Sequence, residues 1–188
     1  IRILDIPCLA ASGNSDVKVS VKPKVAILPT GSELIPIGTE PMPGQVIEFN
    51  SVVVSKQVME WGGDPCVVEP LRDEKDKIAS RILELTNSHD VVVILAGSSA
   101  GAEDFTGEVL DEVGKILLHG VAIRPGHPIV IGFVNHVPVF GLPGYPSSTE
   151  ITADIFLKRT LDHMIGGVNV RREKVNAVLS RKTVSPMG

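Results

Sequence analysis

Residues 91–96 form an unbroken apolar run that begins just after Asp90 and passes directly into Gly97-Ser98-Ser99-Ala100-Gly101. A strand-length apolar run without alternation reads as a strand buried on both faces, and such a strand needs covering layers on both sides of its sheet. The rest of the chain supplies them. Short β-branched runs alternate with segments of helical period, the pattern of stacked βαβ units and hence of a mostly parallel sheet. Strands are predicted at 25–28, 66–68, 91–96, within 116–123, at 129–134 and at 137–142. Asn135-His136 between the last two predicts a hairpin, because asparagine tolerates positive φ. The expected fold is therefore α/β, a three-layer α/β/α arrangement with one antiparallel hairpin.

Helices are expected over 51–61, capped by Asn50; from Asp73, with Ile78, Ile82 and Leu85 on one face; from Asp104 to Val113; and over about 147–165. The last opens on Ser147-Ser148-Thr149-Glu150, which reads as a capping box with Ser147 as cap and Glu150 three residues on. Residues 36–44 form a Pro/Gly-rich loop. The ends read differently: 1–22 as a linker or the end of a preceding domain, and 168–188 as the start of a following β domain with alternating residues of an exposed strand pair. The α/β domain itself is expected over 23–167.

The chain's 188 residues suit one well-buried core. A formal charge of −4 without basic runs argues against nucleic acid or an anionic membrane as a partner. The apolar runs are strand-sized, far short of the roughly 20 residues that cross a bilayer. Cys8 and Cys66 have no pairing or metal-ligand spacing, and the expected location is the cytoplasm.

Four glycine-bearing loops leave the C-terminal ends of predicted strands: Thr30-Gly31-Ser32-Glu33, Gly97 to Asp104, Arg124 to Pro128, and Gly141 to Ser148. In open α/β sheets that edge receives ligands. Glycine lets amide N–H groups approach an anion, and a helix starting just beyond adds its positive end, so residues 97–101 ahead of the Asp104 helix suit a phosphate. One such loop alone is explained by a tight turn; four together favour a ligand. Asp104 reads equally as a helix cap or as a carboxylate for a divalent cation beside phosphate oxygens. Arg124 and His127 flank Pro125-Gly126 and are candidates for an oxyanion, against simple solvation. The histidines lack zinc-ligand spacing, and no P-loop or Gly-x-Gly-x-x-Gly occurs.

Taken in order, residues 29–34, Pro43-Gly44 to Asn50-Ser51, Ala96-Gly97-Ser98-Ser99-Ala100-Gly101 to Asp104, Arg124-Pro125-Gly126-His127-Pro128, and Gly141-Leu142-Pro143-Gly144-Tyr145-Pro146-Ser147-Ser148 resemble the molybdopterin molybdenumtransferase family, that is MoeA and the gephyrin E domain. The resemblance covers its molybdopterin-binding domain. It implies a transferase that inserts molybdate into adenylylated molybdopterin with release of AMP, assisted by Mg²⁺ or another divalent cation, in a parent protein that dimerises. It also implies roles: Asp104 as the required, metal-associated aspartate; Gly97, Ser98, Ser99, Ala100 and Gly101 as the phosphate loop; Thr30, Gly31, Ser32 and Glu33 as the first ligand loop; and Arg124, His127, Pro143, Gly144, Ser147 and Ser148 around the ligand. Tyr145 stands where the family usually has asparagine, and Arg124 and His127 where lysines are common. Molybdate and tungstate are both compatible with these motifs. Two rival readings are a molybdopterin adenylyltransferase, which would carry a Thr-Gly-Gly-Thr-Gly loop absent here, and a non-catalytic binding or scaffold module.

Overall fold

The computed structural model describes residues 1, 3–96, 102–167, 175–178 and 180–181, the side chains of 102–105 excepted. The expected strand pair at the C-terminal end lies largely outside these residues, and 175–178 are not in a strand. Near the other end a short helix, α1 (Asp5–Ala11), buries none of its residues.

The sheet is built from β1 (Lys24–Pro29) and, beyond a separate two-stranded parallel ladder of β2 (Leu34–Ile35) and β3 (Val46–Ile47), from β4 (Asp64–Val67), β5 (Val91–Leu95), β6 (Lys115–His119), β7 (Val130–Val134) and β8 (Val137–Leu142). Its order is β4-β1-β5-β8-β7-β6. The first four strands in that order run parallel, and β7 is antiparallel to both β8 and β6. Asn135 and His136 take φ values of 50° and 66°, the positive-φ pair that a two-residue hairpin turn with the native twist requires. The Asn135 amide also donates to the Thr86 hydroxyl at 3.1 Å, tying the hairpin to the end of α3 (Lys75–Leu85).

Because β5 is central, all five of its residues are buried. Successive side chains point to opposite faces, and two cores result. On one face Ala26, Leu28, Val92 and Ile94 meet Ile78 and Ile82 of α3 and Val109 and Leu110 of α4 (Ala102–Val113). On the other, Val25, Ile27, Val91 and Val93 meet Val54 and Val58 of α2 (Asn50–Glu60), together with Ala153, Leu157 and Leu161. Each such side chain contributes roughly 1.5–3 kcal/mol when fully buried. At the opposite edge from the loops, Asp90 and Lys24 lock the register: the Lys24 N–H donates to the Asp90 carboxylate at 2.8 Å, and the Asp90 N–H to the Lys24 carbonyl at 2.9 Å.

The final helical stretch is not one regular helix. α5 (Pro146–Thr152) passes through a π-helical turn, Ala153–Leu157, into α6 (Lys158–Met164). The hydroxyls of Thr149 and Thr152 donate back to the carbonyls of Tyr145 and Ser148 at 3.0 and 2.7 Å, a back-bonding that bends helices. The expected capping box does not form. Pro146 is the first helical residue and Tyr145 occupies the cap position, since the fixed φ of proline favours the first turn; Ser147 is therefore already inside the helix. Likewise Asn50 is the first residue of α2 and Phe49 holds the cap position, while the Glu48 carboxylate accepts from the Ser51 N–H at 2.9 Å and from the Ser51 hydroxyl. Asp73 does not cap α3, whose preceding residue is Glu74. Asp104 is the third residue of α4 rather than its cap.

Candidate functional site

Leu28, Ile94, Gly141, Val130 and His119 lie in register across β1, β5, β8, β7 and β6. Since β7 alone of these runs the opposite way, the loops that follow β1, β5, β8 and β6 all leave the same edge. The tips of β1, β5 and β8 are immediate neighbours. The β6 tip is two strands beyond β8, but the loop from it returns to β7, the neighbour of β8, and a Cβ on Gly126 would lie 2.7 Å from Thr152 Cγ2, so the Arg124–Pro128 turn packs against the helix that follows the β8 loop.

Each loop is tied down differently. Thr30, 3% exposed, donates its N–H to the Leu95 carbonyl at 2.8 Å and its hydroxyl to the same oxygen at 3.3 Å, joining two strand tips. The Gly31 N–H is engaged by the Leu71 carbonyl at 2.9 Å and the Ser32 N–H by the Asp73 carboxylate at 3.0 Å. The Thr30, Gly31 and Ser32 amides are thus satisfied within the protein. A Cβ on Gly31 would lie 2.8 Å from Leu34 Cγ and 2.9 Å from Glu33 Oε2, so the half-buried Glu33 folds back over its own loop. Residues 97–101, and the side chain of Asp104, lie outside the described residues; Ala96, where that loop begins, donates its N–H to Leu142 at 3.1 Å.

After β8, Pro143 is buried and its carbonyl accepts the Thr149 hydroxyl. Gly144 is half-buried, Ser147 is exposed and Ser148 is 6% exposed. The Asn50 amide donates to the Gly144 carbonyl at 2.7 Å, which fastens the start of α2 to this loop. At the far end of the rim the Arg124–Pro125 bond is cis and Gly126 has φ 109°. Arg124 and His127 are both exposed. His127 Nδ1 pairs with the Val121 carbonyl at 2.6 Å while the Val121 N–H donates to the His127 carbonyl at 2.9 Å, and the ring lies beside Gly120.

Between the β2–β3 ladder and the β8–α5 loop opens a cleft of about 490 Å³ of empty space, part of it open to solvent, with Leu34, Val46, Phe49, Asn50, Ala96 and Tyr145 among its walls. The sequence reading passed over Phe49, Glu48 and the ladder. The pairs Leu34-Ile35 and Val46-Ile47, apolar islands on either side of a Pro/Gly-rich loop, were the available signal.

The sequence profile of a family described as "Probable molybdopterin binding domain" matches residues 26–163, most of the chain. The chain belongs to the molybdopterin-binding domain family. Among curated relatives, a putative molybdopterin biosynthesis protein of Methanocaldococcus jannaschii is 30% identical over 96% of this chain and 45% of its own length. A molybdopterin molybdenumtransferase of Bacillus subtilis is 32% identical over 80% and 35%. This molybdopterin-binding domain thus spans less than half the length of those relatives. Among solved structures, a molybdopterin biosynthesis MoeA protein from Pyrococcus horikoshii superposes with a TM-score of 0.80 at 37% identity, covering 88% of this chain and 41% of that one. The MoaB enzyme of Thermus thermophilus shares the fold alone: TM-score 0.57, 18% identity, 77% of this chain and 97% of that one.

In this molybdopterin-binding domain no group of three or more His, Cys, Asp or Glu side chains is placed to hold a metal ion, among the described residues. Nor is any helix among them long and apolar enough to cross a membrane.

Proposed function

We propose that this chain is the ligand-binding domain of a molybdopterin molybdenumtransferase, which takes adenylylated molybdopterin, inserts molybdate into its dithiolene and releases AMP. The observation that carries the reading is the meeting of three ligand-type loops at adjacent strand tips: Thr30-Gly31 after β1, Ala96-Gly97 after β5 and Pro143-Gly144 after β8. That edge is the one at which open parallel sheets hold nucleotide-like ligands. A likeness of 37% identity to a MoeA protein, set against 18% to a MoaB enzyme, favours molybdate insertion over adenylylation.

In this reading the 97–101 loop and the start of α4 receive the phosphate, because amide N–H groups and a helix N-terminus favour an anion. Asp104, within the first turn of α4, is the carboxylate assigned to the reaction. The described side chains do not form a metal centre by themselves. A divalent cation such as Mg²⁺ would be held by Asp104 together with phosphate oxygens of the substrate, and no step here is routed through it. Arg124 and His127 supply cationic or hydrogen-bonding capacity on the turn beside α5, where an oxyanion such as molybdate or tungstate would meet them. In this reading further parts of a longer protein and a second subunit complete the enzyme.

The test uses the full-length protein with adenylylated molybdopterin, molybdate and Mg²⁺, reading AMP release and molybdenum cofactor formation. Wild type is expected to release AMP in step with cofactor formation, and Asp104→Ala to slow both by about 10²-fold or more while still binding the substrate. Absence of both turnover and calorimetric binding in the wild type rejects the proposal.

A further inference from the structure

The turn that carries Arg124 and His127 is stapled to itself. The Gly120 N–H donates to the Ile129 carbonyl at 2.8 Å, the Val121 N–H to the His127 carbonyl at 2.9 Å and the Ile123 N–H to the Val121 carbonyl at 2.8 Å, while His127 Nδ1 pairs with the Val121 carbonyl. These bonds fix the shape of the turn and leave its height above the neighbouring helix to packing. Arg124, Pro125 and His127 are exposed, but Gly126 in their midst is buried.

Thr152 is what Gly126 is buried against. A Cβ on Gly126 would lie 2.7 Å from Thr152 Cγ2, nearer than the 3.2 and 3.6 Å to the carbons of Ile123. Thr152 itself is 0% exposed, and its hydroxyl donates to the Ser148 carbonyl at 2.7 Å with the Thr149 carbonyl 3.2 Å away. A helical threonine divides between two χ1 rotamers because its oxygen can reach carbonyls three and four residues back. The position taken by the hydroxyl therefore decides the one left to the methyl group. Here the hydroxyl turns back along α5 toward Ser148, and the methyl meets the turn.

We infer that Thr152 is a positioning residue for the oxyanion, resting this on the proposed reading of Arg124 and His127 as the groups that meet molybdate. Its methyl group sets how far the Gly126 tip sits from α5, and so where Arg124 and His127 stand relative to Ser148, one helical turn before Thr152. Two substitutions separate the parts of this side chain. Thr152→Ser keeps the hydroxyl bond and opens a gap beneath Gly126; Thr152→Val removes the O–H and keeps a methyl in the same place.

The full-length protein is assayed for AMP release with saturating adenylylated molybdopterin, Mg²⁺ and varied molybdate, as wild type, Thr152→Ser, Thr152→Val and Arg124→Gln. Thr152→Ser is expected to raise KM for molybdate about fivefold or more with kcat changed by less than about twofold, and Thr152→Val to return KM to near the wild-type value. In NMR spectra of this chain the Gly126 amide and His127 ring signals are expected to shift in Thr152→Ser and to stay in place in Thr152→Val. Thermal midpoints establish that each variant is folded; a merely structural Thr152 would move them without ordering the KM values in this way. Unchanged KM in Thr152→Ser, an equal rise in the serine and valine variants, or unmoved Gly126 and His127 signals in Thr152→Ser overturns the inference. If KM rises in Arg124→Gln but not in Thr152→Ser, the oxyanion reading stands and the role of Thr152 falls. If KM is unchanged in Arg124→Gln while the turn signals follow the methyl group, it is the oxyanion reading that fails.

Discussion

Ser32 and Asp73, 41 residues apart, exchange hydrogen bonds: the Ser32 N–H donates to the Asp73 carboxylate at 3.0 Å, and the Asp73 N–H donates to the Ser32 hydroxyl at 3.2 Å. This reciprocal clasp joins the loop after β1 to the loop after β4 and holds Asp73 on a loop rather than at a helix cap, while the Ser32 hydroxyl, an acceptor here, keeps its O–H to donate. Asp73→Ala is expected to lower stability by roughly 0.5–1.5 kcal/mol and to speed exchange of the Ser32 amide. Ser32→Ala deletes the other bond, since each side chain accepts from the partner's backbone N–H, and is expected to cost a similar amount in urea unfolding; no loss of stability in either variant would show that the clasp is not made in solution.

Asn50 performs the matching task on the other side of the rim. Asn50→Ala leaves the Gly144 carbonyl without its partner 94 residues away, and Asn50→Asp places a carboxylate against it. The alanine variant is expected to lose about 1 kcal/mol and the aspartate variant more. Thermal melts check the order, and calorimetry with adenylylated molybdopterin is expected to show weaker binding in both.

Gly141 lets α4 approach the sheet. A Cβ there would lie 2.6 Å from Thr106 Cγ2, and Thr106 is 6% exposed, so neither side can yield freely. Gly141→Ala is expected to cost roughly 1–3 kcal/mol. Thr106→Ser removes the opposing methyl group, and the double variant Gly141→Ala with Thr106→Ser is expected to recover most of the loss. Unfolding midpoints in urea decide it.

Lys75 and Glu108 bridge α3 and α4 with Nζ and Oε2 2.7 Å apart. The hydrogen bond to Glu108 is the largest influence on Lys75 and raises its pKa above the ordinary 10.5; nearby Glu108, Glu112 and Asp76 charges add to this, while desolvation acts the other way. A folded pKa above the unfolded one gives a contribution that is whole below 10.5 and lost as pH rises through the folded value. The thermal midpoint of Lys75→Met is therefore expected to lie slightly below wild type at neutral pH. The gap is expected to close at strongly alkaline pH and at about 1 M salt, where the screening length is about 3 Å.

The layers were legible because burial imposes a period on a chain. The apolar run 91–96 suited a central strand, observed over Val91–Leu95, the hairpin at Asn135-His136 announced itself by the positive φ it needs, and glycine after a strand marked each rim loop. The order β4-β1-β5-β8-β7-β6 was not legible in detail, because register depends on partners that local pattern does not name. The helix starts show this most clearly. Asn50, Asp73 and Ser147 each have a side chain suited to capping, yet Asn50 and Asp73 bond to loops 94 and 41 residues away, and Pro146 displaces Ser147 from the cap.

By itself, then, the sequence determined which segments are buried, that two layers must cover a mostly parallel sheet, and which family's motifs the chain carries, since these follow from hydrophobic period and local backbone preference. Only the tertiary structure decided which loops are neighbours, that the Arg124 turn packs on Thr152 of α5, and that Phe49 and Tyr145 share one cleft. Polar side chains choose among competing partners by proximity, and proximity between distant residues exists only once the sheet has closed its register.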